Sequence, residues 1–313
     1  MKTQTLPASD LEVRTSEPTH LHVVPRLRQI MSSREVLSNL VRKEVKVKYT
    51  SSLLGAAWST LNPILYLVVF SLVFGVVLHN NTPHFPVYLL SGLLGWTFFA
   101  TSLSMSVRSV VDNSNLVTKV YFPREYLPLA SVGTALVDLV LQAMVLIAFM
   151  LLTWTGHLGI NLLLLPLSLF ALLTVTCALA MLVAALNVQY RDMQHLLNIG
   201  LLMWFWFTPV VYSSGLVYNR LVRHKLFGVS LLNVYLVNPM VAVVSGFQRV
   251  FYGSVYGTRT LSNGQAQRVL VLLPVSVGWL AILLGAVSAG CLALLWLTWR
   301  TYFRLSADFA ELL

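Results

Sequence analysis

Few ionisable groups carry the chemistry open to this sequence, and they are set into a very apolar chain. Asp138 and Gln142 stand one helical turn apart inside a run of Leu, Val and Ala. A carboxylate in such a run is costly to bury and points to a function. It reads in two ways: as a proton relay, or as a group paired with a neighbouring helix or lying near the membrane interface. A relay needs further acids or histidines at the same depth, and none accompany it. A second set of charges, Arg42, Lys43, Lys46 and Lys48, punctuates SSREVLSNLVRKEVKVKY, residues 32–49, around a stripe of Val36, Leu37, Leu40, Val41 and Val45. Ser32 followed by Glu35 is a capping box that starts a helix here. A basic amphipathic helix of this kind lies on a membrane surface, drawn to anionic lipid. The apolar span that follows favours this over a solvated helix with a protein partner.

Enzyme signatures are missing. No Gly-rich loop ends in Gly-Lys-Ser/Thr, so the chain does not bind ATP in the P-loop manner. There is no HExxH and no paired-Cys spacing, and the histidines (20, 22, 79, 84, 157, 195, 224) are dispersed. Cys177 and Cys291 each lie in an apolar run, where free Cys behaves as a small hydrophobe. No catalytic residue, metal ligand or cofactor of this chain's own is therefore assigned. Aromatics are the richer signal. Tyr66, Phe70 and Phe74 recur every four residues, Trp96, Phe98 and Phe99 cluster, and so do Trp204, Phe205, Trp206 and Phe207. Ring faces stack on sugars, so Tyr66, Phe70, Phe74, Trp204 and Phe207 are candidates to line a saccharide path. Interfacial belts and helix packing account for the same pattern.

The elements that must position these groups follow from composition. Of 313 residues, 57% are hydrophobic and only 10% charged, against about 25% charged in soluble domains. A soluble fold of this size cannot hide so much apolar surface. The formal net charge is +10, but the cations are scattered around apolar spans and not gathered into a nucleic-acid groove. A membrane span needs about 20 mostly apolar residues. The predicted fold is all-α and integral to the membrane, with six spans near 60–79, 87–108, 129–154, 161–187, 196–213 and 274–299. Residues 1–30 are predicted to form a flexible cytoplasmic tail without a cleavable signal, 31–50 the interfacial helix, 57–299 the transmembrane domain and 300–313 a cytoplasmic C-terminus. Segment 214–273 is too long for a simple turn. It is expected to hold one or two short re-entrant helices at the outer rim. Placing both termini in the cytoplasm leaves only Arg220, Arg223, Lys225, Arg249, Arg259 and Arg268 outside, all in that long segment. There the positive-inside rule is weakest.

One polar interruption, KVYFPREYLP at 119–128, then faces the cytoplasm between the second and third spans. It resembles the Phe-Pro-Arg-Glu-x-x-Pro turn of the membrane subunits of type-2 ABC exporters of polysaccharides and polyol phosphates. LGAAWSTLNP (54–63), LNVQYRDMQHLL (186–197), FWFTPVVY (205–212) and VNPM (237–240) resemble further landmarks of that family, in order. The likeness covers roughly residues 30–300.

The resemblance implies a homodimer around a channel in a bacterial inner membrane, with two separate P-loop ATPase subunits beneath. ATP and Mg are bound by those subunits. The cargo is a lipid-linked glycan; O-antigen, teichoic acid and galactan are all compatible, and the Val/Leu-rich composition leans toward galactan. Lys119, Phe122, Pro123, Arg124, Glu125 and Pro128 form a coupling elbow, with Pro123 and Pro128 breaking helical hydrogen bonding and Lys119, Arg124 and Glu125 holding it at the aqueous surface. Tyr190, Arg191 and Asp192 form a second contact, in which Arg191 and Asp192 are able to pair. Arg42, Lys43, Lys46 and Lys48 become groups that meet the carrier's pyrophosphate. Two other classes stay open: an integral membrane enzyme, or an ATP-independent flippase, acting on polyprenyl-linked sugars. The first lacks a carboxylate pair, because Glu125 and Asp192 are in different loops; the second lacks intramembrane charges beyond Asp138.

Overall fold

The computed structural model describes residues 34–50, 55, 57–77, 82, 84–119, 123–153, 159–226, 229–253, 255–260, 266–306 and 309–312. The tail at 1–30, the capping Ser32 and Phe122 of the elbow lie outside them. Helix α1 is Arg34–Thr50. Helix α2, Ala57–Phe70, continues as a wider π-helical stretch, Ser71–Val77. Helices α3 (Phe85–Asp112), α4 (Ser114–Lys119) and α5 (Tyr126–Thr153) follow. A short 3-10 turn, Ile160–Leu163, leads into α6, Leu164–Gln189, and then α7, Met193–Trp206.

Beyond it lie α8 (Ser214–Leu221), the two-residue strands β1 (Lys225–Leu226) and β2 (Val229–Ser230), α9 (Leu231–Val237) and α10 (Pro239–Phe251). Strands β3 (Tyr256–Thr260) and β4 (Ala266–Leu270) precede α11 (Val277–Ser306) and α12 (Phe309–Leu312). Both strand pairs are antiparallel hairpins, Tyr256 pairing with Leu270 and Lys225 with Ser230. Apart from these two short hairpins the described elements are helical, in keeping with the expected all-α membrane fold.

Among the described residues, Phe85–Asp112, Tyr126–Thr153, Ile160–Gln189 and Val277–Ser306 are long and apolar enough to cross a membrane. At 28 residues, α3 and α5 are each about 42 Å long. That is more than enough to cross the roughly 30 Å of hydrocarbon. The expected fifth span differs: α7 has 14 residues and reaches only about 21 Å. The chain then continues through 207–213 in turns and bends, without regular helix.

Helix α10, one of the short re-entrant helices expected before the last span, is enclosed by the bundle. Met240, Val241, Ala242, Val243 and Val244 are fully enclosed, and Phe247 and Val250 nearly so. Helices α9 and α10 meet at a bend of 85°. Pro239 holds Asn238 in extended backbone, and Asn238 Oδ1 accepts from Met240 N at 3.0 Å as the cap of α10. Small residues make room for the buried helix, as in other membrane bundles. A Cβ at Gly92 of α3 would sit 2.9 Å from Gln248 Nε2, and one at Gly95 would sit 3.2 Å from Phe247. A Cβ at Gly246 would collide with Ser168 Oγ on α6. A second, smaller core closes the other end of the bundle, from Val110, Val117, Leu127, Met181, Val188, Trp299, Tyr302 and Phe309.

Candidate functional site

The elbow is built on that smaller core. Val117 of α4 and Leu127 of α5 pack into it, with Val188 near the end of α6. Pro123 O accepts from Tyr126 N, and Arg124 O from Leu127 N, to start α5. Pro128 falls in the first turn of α5, where a missing N–H breaks no helical bond; it begins the helix and does not interrupt one, contrary to expectation. Arg124 donates from Nη1 to the Ser306 carbonyl, and Tyr302 OH donates back to the Arg124 carbonyl at 2.9 Å. Tyr302 in turn meets Phe309 edge to face at 5.6 Å. The elbow is thus fastened to the end of α11 and to α12.

Glu125 corrects the surface expectation, being only 2% exposed. Lys119 is exposed and Arg124 partly so. Tyr190, Arg191 and Asp192 form an open turn between α6 and α7, all exposed. Among the described residues Arg191 and Asp192 make no ion pair, so both heads face outward. The structure therefore brings together the elbow, the root of the 190–192 turn and the C-terminal segment. Tyr302, Ser306 and Phe309 escaped sequence reasoning, since nothing local ties them to residues almost 180 positions earlier.

The basic helix is equally anchored. Lys48 Nζ donates to Asp138 Oδ2 at 2.5 Å. Tyr49 OH and Ser59 Oγ donate to Asp138 Oδ1 at 2.5 and 2.8 Å. Asp138 is thus paired with a neighbouring helix, the second of its two readings. Burial, and after it the hydrogen bond to Asp138, pushes the Tyr49 phenol up to about 12, so it stays a donor at neutral pH. Lys43 donates to Asn113 Oδ1 at 2.8 Å, in the turn joining α3 and α4, and lies 3.4 Å from Glu44. Of the four cations, Lys43 and Lys48 are engaged by protein groups, while Arg42 and Lys46 are exposed. One turn beyond Asp138, Gln142 Oε1 accepts from Thr97 of α3 at 2.6 Å.

The aromatics form one connected array. Tyr66 stacks on Phe70 at 6.0 Å, Phe70 on Phe205 at 6.4 Å, and Phe74 on Phe85 at 5.9 Å. Phe205 meets Trp96 at 5.5 Å, and Phe99 meets Trp204 edge to face at 5.2 Å. Tyr66 and Phe207 are exposed, at 47% and 68%, whereas Phe70, Phe74 and Trp204 are half-buried. Trp204 Nε1 donates to Asn238 Oδ1 at 2.8 Å. The FWFTPVVY and VNPM segments thus meet through one indole–amide bond. Tyr88 OH on the Tyr212 carbonyl (2.6 Å) and Gln248 Nε2 on the Pro209 carbonyl (2.8 Å) hold the same segment.

The sequence that carries most of this arrangement has relatives among known proteins. The family model for "ABC-2 type transporter" matches residues 35–252. The chain belongs to this family. Among curated proteins, the O-antigen export system permease protein RfbA of Myxococcus xanthus is 35% identical over 229 residues, covering 72% of this chain and 84% of that one. A Klebsiella pneumoniae protein of the same name is 28% identical, covering 58% of this chain and 71% of its own length. The polysialic acid transport protein KpsM of Escherichia coli is 26% identical, covering 59% and 76%. The matched region of this ABC-2 protein runs from α1 through α10, so it holds the basic helix, the elbow, the 190–192 turn and the aromatic array.

Asn238 joins more of these parts than any other described side chain near the aromatic array. Asn238→Ala removes the cap, worth about 1 kcal/mol, and leaves a partly buried indole N–H without its acceptor, worth about 1–3 kcal/mol more. The expected result is a purified protein melting several degrees lower, with Trp204 fluorescence shifted. Asn238→Asp, which keeps the acceptor, should recover most of the loss.

Proposed function

We propose that this chain is the transmembrane subunit of an ATP-driven exporter that moves a lipid-linked polysaccharide, on a polyprenyl pyrophosphate carrier, from the cytoplasm to the cell exterior. The observation that carries the reading is the 35% identity to an O-antigen export permease across 84% of that protein's length. The sequence contains no phosphate loop of its own; two ATPase subunits supply nucleotide and Mg chemistry, meeting the permease at Lys119, Tyr190, Arg191 and Asp192. Both termini lie in the cytoplasm of a bacterium, and the protein resides in the inner membrane.

Two copies form the channel. Helix α7 is too short to cross alone, and with α2 it leaves a broad apolar face: Leu65, Val69 and Leu72 on one, Leu202, Trp206 and Phe207 on the other, all exposed. Phe70 against Phe205 makes those two helices neighbours. A second copy covers this face, and Tyr66 and Phe207 border the sugar path. Arg42 and Lys46, the two of the basic helix's four cations without protein partners among the described residues, meet the pyrophosphate.

Depleting the protein in its native cell tests the reading. Expected is accumulation of one lipid-linked polymer on the cytoplasmic side, a cell-wall galactan being the first candidate. Normal surface polymer after depletion would reject it. Reversing Arg42 and Lys46 together to Glu should lower export about tenfold or more at unchanged protein level, because two phosphate-facing cations contribute on the order of 1 kcal/mol each. Pulse labelling of surface glycan provides the measurement.

A further inference from the structure

Asp138 lies outside the elbow, the 190–192 turn and the aromatic array, yet three side chains converge on its carboxylate. Its side chain is 6% exposed, and it accepts from Lys48, Tyr49 and Ser59 together. These donors come from two elements: Lys48 and Tyr49 end α1, and Ser59 starts α2. Tyr49 OH and Ser59 Oγ also approach each other at 2.8 Å, closing the junction between the two helices. Seven residues before Lys48, two turns back along α1, Val41 fills a notch at Gly133 of α5. A Cβ there would stand 2.7 Å from Val41 Cγ2. Lys43 on Asn113 gives a third fixed point. Lifting α1 would strand a buried carboxylate, which is strongly unfavourable.

We propose that Asp138 is a positioning residue: its carboxylate pins the basic helix and the start of α2 to a single seat on α5, and export requires that seat to stay closed. The proposal rests on the exporter reading for its transport arm only. The carboxylate touches no cargo and passes no proton. It sets where Arg42 and Lys46 stand relative to the face carrying Tyr66.

A covalent replacement tests this directly. The Cβ of Val41 lies 3.8 Å from the Cβ position at Gly133, the mean spacing of disulfides. The full-length protein is used with a P-loop ATPase subunit in membrane vesicles, with C177A and C291A removing the native thiols. D138N, and separately K48Q, which disturbs folding less, are combined with V41C and G133C. Hydrogen exchange of the α1 amides and export of lipid-linked glycan are read with and without oxidant.

Expected is at least about tenfold faster exchange and about tenfold lower export in D138N, both restored by the disulfide and lost again on reduction. Unchanged exchange in D138N and K48Q would overturn the proposal. So would faster exchange with unchanged export, or loss of export when the cross-link closes in the Asp138 protein, which would mean that α1 must leave its seat. Should the Asp138 protein export nothing with its ATPase present, the exporter reading fails, and the exchange arm still decides whether Asp138 holds the helix.

Discussion

Phe309→Ala is expected to detach the C-terminal segment from the elbow and to reduce export about tenfold or more, while the protein still accumulates in the membrane. Phe309 is fully buried and closes over Tyr302 at 5.6 Å. Removing such a ring costs about 3–5 kcal/mol. The cluster that it completes is separate from the main core, so the loss stays local. Arg124→Ala should follow, removing a charge-assisted bond worth about 1.5–3 kcal/mol, and Tyr302→Phe should be mildest, at about 1 kcal/mol for one neutral hydroxyl. ATP hydrolysis by the complex and export are measured side by side. The signature of a broken strut is hydrolysis that continues while export falls in the order F309A, R124A, Y302F. Normal export in F309A would show that force does not pass through the C-terminal segment.

Gly246→Val is expected to remove the folded protein altogether. The new side chain would drive into Ser168 Oγ, with Leu284 Cδ1 only 3.3 Å from the Cβ position. Ser168 and Leu284 are both fully enclosed, so neither neighbour has room to withdraw. Overpacking of this kind typically costs about 1–3 kcal/mol where atoms can shift, and more where they cannot. Gly285 and Gly290 on α11 provide the contrast, because nothing lies within 4 Å of a Cβ at either. Alanine there should leave protein level and melting temperature unchanged or slightly raised, since Ala favours helix over Gly by about 1 kcal/mol. Membrane protein level by immunoblot and detergent melting curves give both readings. A G246V protein that accumulates normally would mean that α10 is not packed into the core as described.

Local signals were legible in the sequence and long-range ones were not. Hydropathy located α3, α5 and α6 to within about four residues, and α11 except for its last seven, because a span is a property of its own composition. The turn at Pro123 was equally readable. The burial of α10 was not, because it depends on Gly92, Gly95 and Ser168 on other helices; VNPMVAVVSGFQRVFYG alone looks like a short rim helix. Asp138 stood out as a charge in an apolar run, but its partner Lys48 lies 90 positions earlier and belongs to a helix assigned to the lipid surface. Glu125 looked solvated for the same reason: the groups enclosing that stretch include Tyr302 and Phe309 at the far end of the chain. The every-four spacing of Tyr66, Phe70 and Phe74 was visible, while the bond that fixes Trp204 to Asn238 needed two motifs to meet in space.

The central claim, a passive conduit driven by a separate ATPase, is tested most directly by reconstitution. The purified chain is placed in vesicles containing lipid-linked glycan, alone and with a P-loop ATPase subunit added, and glycan on the far leaflet is measured by lectin binding. Expected is ATP-dependent appearance of glycan only when both proteins are present. Translocation or modification of the glycan by this chain alone would contradict the claim.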